Sequence, residues 1–179
     1  MRQKIQESIE IPAGIHCEFT DKTLTCKKDS LQLQREIKIP SVEFKLENNT
    51  IIFTCKKGNK IQYKIIKTYM SHIKNMFRGL QKPFRYKLEV VNVHFPMTLK
   101  VEGDQLVISN FLGEKTPRRA KILKDVKVEI KGQEVLVTSP DLELAGQTAA
   151  NIEKSAYPKS RDRRVFQDGI YITERPGDK

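Results

Sequence analysis

The chain has no long apolar stretch: its uninterrupted hydrophobic runs reach only about three residues, far below the ~20 that a membrane-crossing helix needs. The opening MRQKIQESIEIP places charges where a secretory signal would need an apolar core, so an intracellular protein is expected. Cysteine is scarce. Cys17, Cys26 and Cys55 are odd in number and show no C-x-x-C spacing, which argues against a disulfide framework or a zinc knuckle and leaves ordinary core or strand cysteines. Also missing are G-x-S-x-G, H-E-x-x-H, a phosphate-cradling glycine loop and any cluster of carboxylates beside a nucleophile. His16, His72 and His94 stand apart from one another and from any acid at ligand spacing, so each reads as a satisfied or buried histidine rather than a general base. No catalytic residue, metal, cofactor or small-molecule substrate is expected.

A fifth absence is informative about charge. From Asn48 to Leu88 there is no acidic residue, yet Lys56, Lys57, Lys60, Lys64, Lys67, Lys74, Arg78, Lys82, Arg85 and Lys87 supply ten positive charges of a total net charge of +11. The rest of the chain is close to neutral. A localised field of this sign attracts polyanions, nucleic acid before anionic membrane. Within this region KIQYKIIKTYMSHIKNMFRGL, Lys60 to Leu80, reads as a two-faced helix. Lys60, Lys64, Lys67, Ser71, Lys74 and Arg78 fall on one stripe at three-and-four spacing, and Ile65, Ile66, Tyr69, Ile73, Met76, Phe77 and Leu80 on the other. Gly79 and Pro83 are read as its stop.

The first sixty residues alternate with period two, as short strands do: Ile15, Cys17 and Phe19, then Leu24 and Cys26, then Val42, Phe44 and Leu46, then Ile51 and Phe53, with turns at Asp21-Lys22 and Asn48-Asn49. The pattern then repeats at an offset of 84 residues. Pro12 answers to Pro96, Ile15 to Leu99, Val42, Phe44 and Leu46 to Val126, Val128 and Ile130, and Ile51 and Phe53 to Val135 and Val137. A second helix is expected from Ser139-Pro140-Asp141, with Ser139 as N-cap and Pro140 in the first turn, burying Leu142, Ala145, Ala149, Ile152 and Ala156. The fold class expected is therefore α+β: two tandem homologous lobes, residues 1–82 and 83–179, each a small, mostly antiparallel sheet with one helix packed on one face.

Two segments of the second half are not required by a core. The loop from Asn110 to Arg119 is punctuated by glycine and proline and carries Lys115, Arg118 and Arg119; it reads either as a solvated surface loop or as a functional one. The tail interleaves Lys159, Arg161, Arg163, Arg164 and Arg175 with Phe166 and Tyr171 around an Asp168-Gly169 turn. Guanidinium forks match phosphate geometry and aromatic rings can stack on unpaired bases, while the same composition also suits a frayed terminus.

Four ordered blocks carry a family resemblance: Ser71-His72-Ile73-Lys74-Asn75-Met76 leading to Gly79; Phe84-Arg85-Tyr86-Lys87 with His94-Phe95-Pro96; Asn110-Phe111-Leu112-Gly113-Glu114-Lys115 with Arg118; and Gly146-Gln147-Thr148-Ala149-Ala150-Asn151-Ile152-Glu153 followed by Arg164-Val165-Phe166-Gln167-Asp168-Gly169-Ile170-Tyr171. In these the chain resembles the universal sixth protein of the large ribosomal subunit, in its archaeal and eukaryotic branch. The resemblance implies duplicated α+β lobes, a non-enzymatic structural role in a cytosolic ribosome, and binding of large-subunit rRNA near the sarcin-ricin loop and the base of the stalk that recruits translational GTPases. Neighbouring large-subunit proteins are the other implied partners. It implies rRNA contacts from the loop with Lys115, Arg118 and Arg119 and from the tail with Arg161, Arg163 and Arg164. The first lobe departs from the family pattern, since Cys26-Lys27-Lys28-Asp29-Ser30-Leu31 lacks the usual glycines and proline of a strand turn.

The rival readings are an RNA-binding module acting outside the ribosome and, behind it, an RNA-directed enzyme, for which no acidic cluster is available to hold metal. Charge counting favours the first helix as the main RNA contact, and the resemblance favours the tail. The tail is preferred, because arginines beside Phe166 and Tyr171 combine bidentate phosphate contacts with stacking. Lys60, Lys64, Lys67, Lys74 and Arg78 are then a secondary contact.

Overall fold

Asn59 opens the first helix, α1, which spans Lys60–Gln81. Its side-chain oxygen accepts from the N–H groups of Ile61 and Gln62 at 2.7 and 3.3 Å, and the Gln62 side chain accepts from the Asn59 N–H at 3.1 Å. This reciprocal capping box satisfies donors that a helix start otherwise leaves open. At the other end Lys82 is extended, as a residue preceding proline must be, and its N–H still donates to the Arg78 carbonyl. Gly79 does not stop the helix, contrary to expectation; it is buried one turn inside it. The buried stripe is Ile66, Met70, Ile73, Met76, Phe77 and Leu80, so Met70 lies in the seam while Ile65 and Tyr69 sit half-buried at its rim.

The computed structural model describes residues 3–39, 42–47, 49–162 and 164–177. It divides into two compact units, Met1–Lys82 and Pro83–Lys179. In the first, strands β1 (Gln3–Glu10), β5 (Glu43–Glu47) and β6 (Thr50–Gly58) form an antiparallel sheet of order β1-β6-β5, and β2 (His16–Thr20), β3 (Thr23–Lys28) and β4 (Leu31–Glu36) form a second of order β2-β3-β4. Helix α1 lies against strands of both sheets, closing a core built on Leu24, Cys26, Ile51, Phe53, Ile66 and Ile73, all fully buried. The strands of each lobe thus divide between two small sheets rather than forming one.

The second unit repeats the plan with one addition. Strands β8 (Thr98–Glu102), β9 (Gln105–Ser109) and β10 (Arg118–Lys121) form one sheet, and β7 (Phe84–Val91), β11 (Lys127–Lys131), β12 (Glu134–Ser139) and β13 (Gly169–Glu174) another, of order β11-β12-β7-β13. The second helix, α2 (Leu142–Ser155), covers β7, β10, β12 and β13 and buries Ala145, Thr148, Ala149 and Ile152. Small residues there let the helix approach the sheet closely: a Cβ on Gly146 would stand 2.9 Å from the Tyr86 hydroxyl. Its N-cap is Asp141, whose carboxylate accepts from the Glu143 N–H at 2.8 Å. Ser139 is instead buried at the end of β12, donating to the Asp125 carbonyl and accepting from the Asp141 N–H, because the helix begins two residues later than the serine-proline pair suggests.

Duplication is written in the hydrogen bonds. The Phe44–Phe53 pair of β5 and β6 and the Val128–Val137 pair of β11 and β12 stand 84 residues apart. Backbone bonds that tie the sheets recur too: Ile11 N–H to Asn49 C=O at 2.9 Å matches Val90 to Gln133 at 2.8 Å, and Ile37 to Lys22 at 2.7 Å matches Ile122 to Asp104 at 2.8 Å. The offset is not constant, however. Leu99 pairs with Ile108 as Cys17 pairs with Cys26, an offset of 82, so Cys17 rather than Ile15 is the counterpart of Leu99. Pro96 ends a differently sized loop and does not correspond to Pro12. In the first lobe the β3–β4 turn does without glycine because Asp29 itself adopts φ 51°, a conformation that Asp tolerates better than most residues.

Candidate nucleic-acid interface

Three segments of the second lobe meet: the 92–97 loop after β7, the 110–117 loop after β9, and the tail, residues 157–162 and 164–168. Each is tied to another by a polar contact. Asn110, at φ 61°, donates from its side chain to the Pro96 carbonyl at 3.0 Å, and Phe111 is fully buried beneath a single 3-10 turn. Arg118 braces the loop against the end of α2. Its guanidinium forks onto Glu114 at 2.7 and 2.6 Å, donates to the Ser155 and Tyr157 carbonyls at 3.0 and 2.7 Å, and lies 4.1 Å over the Phe111 ring. A cation on those last carbonyls also suits the negative end of the helix dipole. The Arg118 bonds hold the Glu114 carboxyl below its ordinary value despite partial burial, with help from the charge of Lys159.

The tail is anchored by Asp168. This carboxylate is buried and accepts from the N–H groups of Val93 and His94 at 2.8 and 3.0 Å and faces the His94 ring Nδ1 at 2.5 Å. Burial pushes the Asp168 carboxyl up, but these hydrogen bonds from His94 and Val93 outweigh it and leave the group below its ordinary value. His94, which has no acid at ligand spacing in the sequence, therefore has one in space. Its ring stacks on Phe166 at 5.0 Å, and the Arg161 guanidinium lies 4.9 Å from the centre of the Phe166 ring. Asp168-Gly169 is not a turn: Gly169 starts β13, which pairs with β7 from Gly169–Val91 onward, so this part of the tail is sheet rather than a frayed end.

The side chains singled out in the sequence fall into distinct groups. Lys115, Arg119, Lys159 and Arg161 are exposed, and among the described residues none of them is held in an ion pair. Arg164 is paired with Asp162 at 2.9 Å, yet its side chain is 90% exposed. Arg118 is committed internally, and only 17% of its side chain is exposed. Phe166 is half-buried and in contact with both His94 and Arg161, and Tyr171 donates its hydroxyl to the Gln167 carbonyl at 2.9 Å. Arg175 is exposed just beyond β13, and Arg163 lies outside the described residues. Sequence reasoning missed the exposed apolar groups beside these cations: Val93 (65%), Phe95 (46%), Tyr157 (46%) and Val165 (59%). Phe95 was within reach, because it stands inside one of the resemblance blocks between His94 and Pro96.

In the first lobe Lys60, Lys64, Lys74 and Arg78 are exposed along α1 as expected. Lys67 differs: it is paired with Glu7 at 2.8 Å and sits 5.3 Å over the Tyr63 ring. Among the described residues no group of three His, Cys, Asp or Glu could hold a metal ion, and no helix is long and apolar enough to cross a membrane.

Residues 95–169, which hold most of this convergence, match the family described as Ribosomal protein L6. The chain is similar to the large ribosomal subunit protein uL6 of Methanococcus vannielii, 43% identical over 173 residues, which is 97% of this chain and 95% of the relative. The uL6 protein of Haloarcula marismortui is 42% identical over 168 residues, 94% of each chain. That of Methanosarcina mazei is 39% identical over 175 residues, 98% of this chain and 99% of the relative. With identity at this level running through both lobes, the chain belongs to the uL6 family and is a structural, non-enzymatic constituent of the large ribosomal subunit.

Proposed function

We propose that the chain binds large-subunit rRNA in a cytosolic ribosome, near the sarcin-ricin loop and the base of the GTPase-recruiting stalk, through the converging segments of its second lobe. The observation that carries this reading is the grouping of the exposed cations Lys115, Lys159 and Arg161 with the exposed Phe95 and Tyr157, on loops braced by Arg118 and Asp168. Cations on a rigid frame displace condensed counterions from phosphates without first losing loop entropy, and rings beside them offer stacking faces to unpaired bases. Arg119, Arg163, Arg164 and Arg175 extend the same basic surface in sequence, with Arg164 able to exchange Asp162 for a phosphate oxygen. Arg118 acts by positioning the loop, and the α1 stripe serves as a secondary contact or long-range attractor. Neighbouring large-subunit proteins are the other partners.

The test compares two triple variants against a large-subunit rRNA fragment across a salt series. Lys115→Gln, Lys159→Gln and Arg161→Gln together should flatten the log-log salt slope by about 2 to 3 units, as losing three phosphate contacts requires. Lys64→Gln, Lys74→Gln and Arg78→Gln together should change it less. If the helix variant loses more affinity and more slope, α1 is the anchor and the assignment is wrong. Absence of the protein from the large-subunit and polysome peaks of a gradient would instead point to a role outside the ribosome.

A further inference from the structure

The first lobe holds a pair of thiols that the ribosomal role does not use. Residues Asp21 and Lys22 take φ 49° and 66°, giving the two-residue turn whose twist matches a tight hairpin, and this turn sets the register of β2 and β3. Thr20 and Thr23 close the turn, and alternation along the ladder makes Cys17 and Cys26 a directly opposed, non-hydrogen-bonded pair, the kind in which side chains approach most closely. Their sulfur atoms stand 2.9 Å apart. The opposed Cα spacing of such a pair, about 4.5 Å, lies within the range a disulfide spans.

The two thiols are not equivalent. Cys26 is fully buried on the central strand of the β2-β3-β4 sheet, while Cys17 is half-buried on the edge strand β2. The hydrogen bond from Cys26 favours the Cys17 thiolate against the opposing effect of burial, and the same bond together with burial keeps Cys26 protonated. One partner is thus half-buried at a sheet edge and the more readily ionised, and the other is buried and adjacent, the arrangement of an attacking thiol with its resolving thiol. Cys55, fully buried in β6, has neither accessibility nor such a partner and serves as an internal control.

We propose that Cys17 and Cys26 form a reversible redox site that takes a hydroperoxide as oxidant and closes into a cross-strand disulfide joining β2 to β3. The Cys17 thiolate attacks the terminal peroxide oxygen, breaking the O–O bond and releasing the alcohol after proton uptake, or water from hydrogen peroxide; Cys17 becomes a sulfenic acid. The Cys26 sulfur, giving up its proton, then attacks the Cys17 sulfur and expels hydroxide, which leaves as water. The sulfurs lose two electrons in all and the peroxide gains them. A dithiol reductant reverses the closure by thiol–disulfide exchange.

The experiment treats the reduced full chain with tert-butyl hydroperoxide, alkylates the remaining thiols and maps the peptides by mass spectrometry. The expected result is one intramolecular bond between Cys17 and Cys26, an alkylated Cys55, and full recovery of three free thiols after dithiothreitol. Recovery of both Cys17 and Cys26 as free thiols when a model peroxidatic thiol is oxidised in the same solution would overturn the proposal, and so would pairing with Cys55. In the Cys26→Ser variant, Cys17 should accumulate as a sulfenic acid trapped by dimedone, and in Cys17→Ser the Cys26 thiol should lose its peroxide sensitivity. Equal dimedone labelling of wild type and Cys26→Ser would refute the resolving step. The wild-type peptide map decides the matter even if a variant folds poorly.

Discussion

Replacing Asp168 by alanine tests whether the tail is locked to the 92–97 loop in the way the contacts indicate. The substitution removes an acceptor for the Val93 N–H at 2.8 Å, the His94 N–H at 3.0 Å and the His94 ring at 2.5 Å, at a site that is 1% exposed. Each hydrogen bond to a charged group contributes about 1.5 to 3 kcal/mol, and the losses overlap because all three share one carboxylate. Breaking a buried polar anchor of this kind costs about 3 to 5 kcal/mol. Asp168→Asn keeps an oxygen for the two backbone donors and should cost less, about 1 to 3 kcal/mol. Urea unfolding followed by circular dichroism gives the stability, and amide exchange at Val93 and His94 locates the change. The pH dependence follows from the depressed carboxyl. A carboxylate whose folded value lies below its unfolded value of about 3.9 contributes its full stabilisation above that value and loses it as pH falls through the folded one. The gap between wild type and Asp168→Asn should therefore be widest near neutral pH and shrink on acidification below about pH 4. An alanine variant within about 0.5 kcal/mol of wild type, or a gap that widens in acid, would refute the lock.

Four further outcomes are expected. Ile73→Ala, at a fully buried position of α1, should cost about 2 to 5 kcal/mol by urea denaturation, and Ile73→Lys more. Arg118→Lys should cost about 1 to 2 kcal/mol, because an ammonium can neither fork onto Glu114 nor stack on Phe111 and the pair is partly solvated; proteolytic cleavage within 110–117 should become faster. Gly113→Ala should cost about 1 to 2 kcal/mol through its φ of 77°, since the Phe95 ring leaves room for a Cβ at 3.6 Å; thermal unfolding measures it. In stopped-flow binding to the rRNA fragment, the α1 triple variant should lower the association rate, and the Lys115, Lys159 and Arg161 variant should raise the dissociation rate.

Much of the scaffold is readable in the chain because the signals are local. The α1 stripe, the β5–β6 and β11–β12 hairpins and the repeat all follow from apolar spacing within one element. What escaped reading lacked such spacing. Strand β1 has one fully buried residue, Ile9, with only Ile5 beside it as a half-buried apolar residue, and β4 reads LQLQRE with none fully buried; both exist because a neighbouring strand supplies the missing ladder partner. The same holds for β13, whose partner β7 lies some eighty residues earlier. At the site, composition marked the cations but could not tell Arg118 from Arg161. That distinction depends on where Glu114, Ser155 and Tyr157 fall in space. His94 and Asp168 are 74 residues apart, and only the closure of β13 onto β7 brings them together.

Counting charge and counting available charge give opposite rankings of the lobes. The first 82 residues hold 16 Lys and Arg against 8 Asp and Glu, and the remainder 17 against 14, so bulk electrostatics points to the first lobe. In the second lobe, however, the pairings sort the cations. Lys87 is paired with Glu134, Lys127 with Glu129 and Arg118 with Glu114. Among the described residues Lys115, Lys159 and Arg161 are in no ion pair, and the exposed rings of Phe95 and Tyr157 lie on the same converging segments. The α1 stripe is the reverse case: more charge, spread at regular helical spacing, with Tyr63 as an exposed ring beside it. A long-range field scales with the total, which suits α1 to drawing RNA in. Short-range contact depends on fixed donors and stacking faces, and on the proposed reading the second lobe supplies them, so that a single chain would divide attraction and anchorage between its two copies of one fold.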